Sequence, residues 1–150
     1  MKTTPKNSKK GMTLLELTVV ILVLLALIGI LFVGGRAWKK GSDRAASTLQ
    51  IRNVQQAVRS YANMNPTQAA AGVVVPSEIW GAGKFIQTEE EVFFGENFHP
   101  AGSSYSYTFA GDSEKLPAIG TLYIKTGGTP KTGEEATTYY DPDPTKISDW

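Results

Sequence analysis

Residues 8–35 read SKKGMTLLELTVVILVLLALIGILFVGG, and the fold turns on how this stretch is understood. Between Met12 and Gly35 the only charged residue is Glu16, and Leu17–Val33 is apolar apart from Thr18 and Gly29. As a helix, residues 12–35 would rise about 36 Å at ~1.5 Å per residue, enough to cross a hydrocarbon layer of roughly 30 Å. A secretory signal peptide also starts with basic residues, but its apolar core of about 7–15 residues ends at a small-residue cleavage site. Here the run is longer and leads into the bulky, basic GRAWKKG of residues 35–41, so an anchor is the better reading. Charge does not orient it. Lys2, Lys6, Lys9 and Lys10 precede the span, and Arg36, Lys39, Lys40 and Arg44 follow it almost as densely.

Two readings of Glu16 stand side by side. Thr13-x-x-Glu16 has the form of a capping box, with Thr13 as N-cap and Glu16 at the third helical position. Yet an ionisable side chain inside an apolar span points by default to a function and to a partner.

Working outward, the 150-residue chain has room for an anchor and one further domain. It contains no cysteine, which excludes disulfides and thiolate metal sites, and its single histidine, His99, excludes multi-histidine zinc sites. The net charge of +1 conceals a partition. Residues 36–65 carry six cations against Asp43 alone, whereas residues 66–150 carry twelve acids against five lysines. Such asymmetry speaks to contacts and assembly. No stretch interleaves Arg or Lys with aromatics as a stacking surface for nucleic acid would, so nucleic acid is an unlikely partner.

After Gly34-Gly35 the pattern becomes amphipathic. Ile51, Val54, Val58 and Tyr61 form one helical stripe, with Arg44, Arg52 and Arg59 away from it. Pro66 predicts an end near Asn65. Gly29, Gly34, Gly35 and Gly41 weaken helix propensity, either as tolerated small residues or as sites of bending. In residues 66–150, Ser104–Ala110 alternates and predicts a strand, Thr121–Thr126 a second and Thr137–Tyr140 a short third. Gly111-Asp112-Ser113 and Gly127-Gly128-Thr129 are the expected turns. The predicted fold is α+β: a long N-terminal α-helix, half hydrophobic and half amphipathic, packed on a small antiparallel β-sheet head.

Some motifs fail. Gly81-Ala82-Gly83-Lys84 ends like a phosphate loop, but Glu78 stands at its first glycine position and Phe85 at its hydroxyl position. His99-Pro100 reads as a turn without triad spacing, and Glu89–Glu91 as a solvated run capped by Thr88. Asp141-Pro142-Asp143-Pro144, with Asp149 beyond, offers hard oxygen ligands of the kind calcium takes, though in no standard loop spacing.

The order Lys9-Lys10-Gly11, Met12-Thr13-Leu14-Leu15-Glu16, apolar helix, amphipathic continuation resembles the N-terminal region of type IV pilins and of the pseudopilins of type II secretion. The resemblance covers residues 8 to about 60. Met12 stands where phenylalanine is commoner in the family, and the apolar helix lacks the proline that many members have. It implies a cleaved leader over 1–11, a filament-core or transmembrane helix over 12–35, a continuing stalk over 36–65 and a β-rich head over 66–150. It further implies cutting after Gly11 by a prepilin peptidase, N-methylation of Met12 and a subunit-registering role for Glu16. The implied partners are copies of the chain in a homo-oligomeric filament, an assembly ATPase and an inner-membrane platform. The implied chain is not an enzyme. Major pseudopilins carry calcium in a C-terminal loop, which lends the aspartates at 141, 143 and 149 their interest. The competing class is a single-pass membrane-anchored binding protein whose head works alone.

Overall fold

The computed structural model describes residues 11–150. The leader lysines Lys2, Lys6, Lys9 and Lys10 lie outside the described residues. One helix, α1, runs from Leu14 to Met64. The chain divides into two compact units, residues up to 39 and residues 40–150.

In the first unit, residues 17–33 of α1 are uncharged and almost wholly apolar on every side. Its aliphatic residues from Leu14 to Val33 are all exposed, and this is the one helix among the described residues long and apolar enough to cross a membrane. Aliphatic surface on this scale demands lipid or other chains around it. The helix stays continuous through Gly29, Gly34, Gly35 and Gly41, where an added Cβ would meet nothing within 4 Å. No contact among the described residues therefore requires glycine at these four positions.

In the second unit the stripe closes onto the head. Ile51, Val54 and Val58 are fully buried and Tyr61 nearly so. The helix stops at Met64, where Pro66 starts a separate short helix, α2 (Pro66–Ala70). A 3-10 turn (Pro76–Glu78) and α3 (Glu90–Phe93) lead to the sheet. The sheet has two antiparallel strands, β1 (Tyr105–Phe109) and β2 (Ile124–Gly128), with Tyr107 opposite Thr126. Tyr105 and Tyr107 turn inward and Thr108 outward, as alternation requires. Trp80 gathers the rings of Phe93, Phe94, Phe109 and Tyr123 around itself, with centroids 5.5–6.2 Å away. Aromatic contacts of this geometry add to plain burial.

Three local expectations need correction. The second strand begins at Ile124, not Thr121, because α1 supplies its own partner to the residues before it. Buried Gln55 donates from Nε2 to Thr121 O at 2.9 Å, and its Oε1 accepts Tyr123 N–H at 3.0 Å. Gly127 and Gly128 belong to β2, not to a turn. Gly128 has φ +104°, and a Cβ there would lie 2.5 Å from Ser104 O, so only glycine fits this close approach of β1 and β2. Thr137–Tyr139 forms a 3-10 turn where a third strand was expected. Its Tyr139 and Tyr140 N–H groups bond back to Ala136 O and Thr137 O, which leaves no ladder to build. In addition, α3 is capped at Glu89 without a side-chain hydrogen bond, so Thr88 does not cap the acidic run.

Gln55→Leu is expected to lower the unfolding free energy by about 1–3 kcal/mol, chiefly the cost of stranding the buried Tyr123 N–H. Urea titration of the variant beside the parent checks this. An unchanged midpoint would show that the amide is dispensable.

Candidate functional site

The first candidate is the start of α1. Gly11 and Met12 are exposed and non-helical, and Thr13 stands just before the first helical residue. Thr13 N–H donates to Glu16 Oε2 at 2.7 Å, Thr13 Oγ1 donates to the same oxygen at 2.9 Å, and Glu16 N–H donates to Thr13 Oγ1 at 3.3 Å. The capping box is thus complete, and Leu17 N–H closes the first turn onto Thr13 O at 3.2 Å. The acid takes the Thr13 amide and the Thr13 hydroxyl takes the Glu16 amide, two groups that the helix start would otherwise leave open. Its carboxylate stays at the exposed surface of the single chain.

The aspartates do not come together as a ligand set. Asp141 Oδ1 accepts Thr126 N–H at 2.7 Å, and Asp143 Oδ1 accepts Thr145 N–H at 2.9 Å and its hydroxyl at 2.8 Å. Asp141 and Asp143 line a cavity with Arg44, Arg52 and Lys146, while Asp149 lines a different one with Arg59. Among the described residues no three His, Cys, Asp or Glu side chains are placed to hold a metal ion. The first two aspartates fasten the C-terminal segment to the sheet and start its last 3-10 turn, Pro144–Lys146. The Gly81–Lys84 segment is likewise a turn, with Lys84 Nζ paired to Glu78 at 2.6 Å.

A second cluster was not anticipated. Buried Ser47 on α1 lies 3.1 Å from His99 Nε2, and Tyr107 donates its hydroxyl towards Ser47 Oγ at 3.3 Å and towards Gln50 Oε1. Ala101 N–H donates to His99 Nδ1 at 3.2 Å, which fixes the neutral tautomer with the proton on Nε2, facing Ser47. The rings of Tyr105, Tyr107 and Tyr140 surround the imidazole at 4.8–5.5 Å. Burial drives the His99 pKa from 6.5 down to about 4, against the pull of Asp43, and pushes Tyr107 up to about 12. A serine beside a histidine invites a nucleophilic reading. Both side chains are buried, however, and Nδ1 takes a backbone proton where a triad would place an acid. The cluster is a polar rivet between α1 and β1. Ser47 lies on the extended apolar stripe, at i−4 from Ile51, and that spacing was the signal for it in the sequence.

The remaining concavity follows the basic flank of α1. A cleft of about 400 Å³ is lined by Arg52, Gln56, Arg59, Ser60 and Asn63, with Asp149 and Trp150 opposite. Arg59 donates to Ala118 O at 3.1 Å and Trp150 O at 3.3 Å, and its Nε is buried with no partner among the described residues.

No family model, curated protein or solved structure matches the chain.

The histidine gives a pH test. Its folded pKa lies below its unfolded one, so the unfolded chain binds more protons as pH falls. The neutral-imidazole contribution is complete above about pH 6.5, is lost between there and about 4, and changes no further below. Unfolding midpoints of the parent and of His99→Gln should therefore converge across that window. Parallel curves would show that His99 does not titrate on unfolding.

Proposed function

We propose that the chain is a structural subunit of a type IV pilus-like filament, cut after Gly11 and polymerising through α1. What carries this reading is one placement: a single acid, Glu16, in the first turn of a helix whose next seventeen residues are uncharged and exposed, just behind a Lys-Lys-Gly segment. Removal of the leader frees the α-amino group of Met12, four residues before Glu16, and the amine receives one methyl group. In a stack of helices the amine of one subunit sits against Glu16 of its neighbour. Neither charge is tolerable alone in an apolar layer, so the pair offsets desolvation and fixes the axial step. Loss of the four leader lysines leaves the mature chain net acidic.

The partners are other copies of the chain, a prepilin peptidase, an assembly ATPase and an inner-membrane platform. Before assembly the subunit is a single-pass protein of the bacterial inner membrane with its N-terminus in the cytoplasm. Afterwards it belongs to a periplasmic or cell-surface filament, either a surface fibre or the pseudopilus of a type II secretion system. It performs no catalysis. The complete Thr13–Glu16 capping box favours a second reading, a membrane-anchored binding protein in which Glu16 only starts the helix.

Intact-mass measurement of the mature protein should give a chain starting at Met12 with one added methyl group. A chain still carrying residues 1–11 would overturn the proposal. Glu16→Gln separates the two readings, because glutamine completes a capping box yet carries no charge. Membrane insertion should persist while filament yield collapses, and normal filaments from this variant would leave capping as the only role.

A further inference from the structure

Residues 40–64 of α1 have two flanks, one on each side of the stripe Ile51, Val54 and Val58. At ~100° per residue, Arg52, Gln56 and Arg59 fall on one flank and Gln50, Ala57 and Tyr61 on the other. The contacts agree with the wheel. Arg52 lies over the Trp150 ring at 5.4 Å and Arg59 bonds Trp150 O, so the C-terminal segment covers the first flank. On the second, Gln50 accepts from Tyr107 and Tyr61 meets Phe85 edge-on at 6.5 Å. Phe93 of α3 stacks on Tyr107 at 5.0 Å, which places α3 with this second flank.

Each flank carries surface of opposite character. The first holds the donor-lined cleft. Arg59 there is desolvated by burial, and it donates to Ala118 O and Trp150 O. Arg52, Gln56, Ser60 and Asn63 are exposed around it, and among the described residues Asp149 is the one acidic side chain lining the cleft. The second flank holds an acidic ridge over residues 89–96. Glu89, Glu91 and Glu96 are exposed, with Val92 57% exposed among them. Lys84, which precedes the ridge in the chain, is paired with Glu78.

We propose that the ridge at 89–96 of one copy docks into the Arg52–Arg59 cleft of a second copy. The inference deepens the filament reading and rests on it for bringing copies into register, but both surfaces lie within residues 40–150. Carboxylates find donors that α1 leaves pointing at solvent, and Val92 meets the apolar ring of Trp150 in an otherwise polar rim. Because the two patches are on opposite flanks, the contact is head-to-tail. After one contact the first copy keeps a free cleft and the second a free ridge, so the contact propagates instead of closing on a two-fold axis.

The cysteine-free chain allows a direct test in the full-length protein. Asn63→Cys and Asn97→Cys, both at exposed positions beside the cleft and the ridge, are introduced together and assemblies are oxidised. A ladder of dimers, trimers and longer species is expected, whereas either cysteine alone should stop at dimers. Within that background Arg52→Glu or Glu91→Arg should each cut ladder yield about tenfold, and the two together should restore it to within about twofold. The yield should also fall as salt rises beyond about 0.15 M. Dimers only, or reversals without rescue, would overturn the contact. The outcomes separate from those of the filament reading. A parent that forms filaments but no ladder removes only the head contact. Ladders that persist while Glu16→Gln assembles like the parent remove only the N-terminal pairing.

Discussion

A single buried amide carries the joint between helix and sheet. Gln55 belongs to the inward face of α1, where a polar side chain is costly unless every donor and acceptor is used. Both ends of the amide are used, on Thr121 O and Tyr123 N. The helix thereby takes the place a neighbouring strand would occupy for two residues, and β2 starts only when that substitution ends. The register of β2 against β1 follows from where Gln55 grips. The glycines at the far end then let the two backbones close to a distance no side chain would permit.

Around this joint further polar contacts hold the head. Ser47, His99 and Tyr107 meet below it, and Tyr105 reaches Glu135 O at 2.6 Å. Lys40 pairs with Glu135 at 2.8 Å between half-exposed side chains, a contact that contributes little by itself. A buried polar network contributes less to raw stability than to uniqueness, since each misplaced partner leaves a neighbour unpaired. For the head this means that aliphatic burial on Ile51, Val54 and Val58 supplies the drive, and Gln55 and His99 select the arrangement.

What could be read from the residues depended on whether the signal was local. The apolar run, the stripe Ile51–Val54–Val58–Tyr61, the stop before Pro66 and the alternation of β1 are all periodic features of one element, and each was legible. The start of β2 was not, because it is decided by a side chain nearly seventy positions earlier in the chain. Thr137–Tyr139 has the β-branched and aromatic composition of a strand, but no neighbour offers it a ladder. His99 read as a turn residue because its environment is assembled from α1, β1 and Tyr140, none of them adjacent in sequence. For Glu16 the capping pattern with Thr13 was legible, because donor and acceptor lie within one turn. The local bonds that Asp141 and Asp143 make to Thr126 and Thr145 were not legible, because the first joins segments fifteen residues apart.

The engagement of Asp141 has a wider consequence. A two-stranded sheet leaves hydrogen-bonding groups along both outer margins, and such margins invite strands from other molecules. On β2 the outward N–H of Thr126 is occupied by the Asp141 carboxylate. The margin is blunted by a charged side chain that offers no continuing ladder. Heads crowded at high local density can then meet through their side chains without knitting into a common sheet.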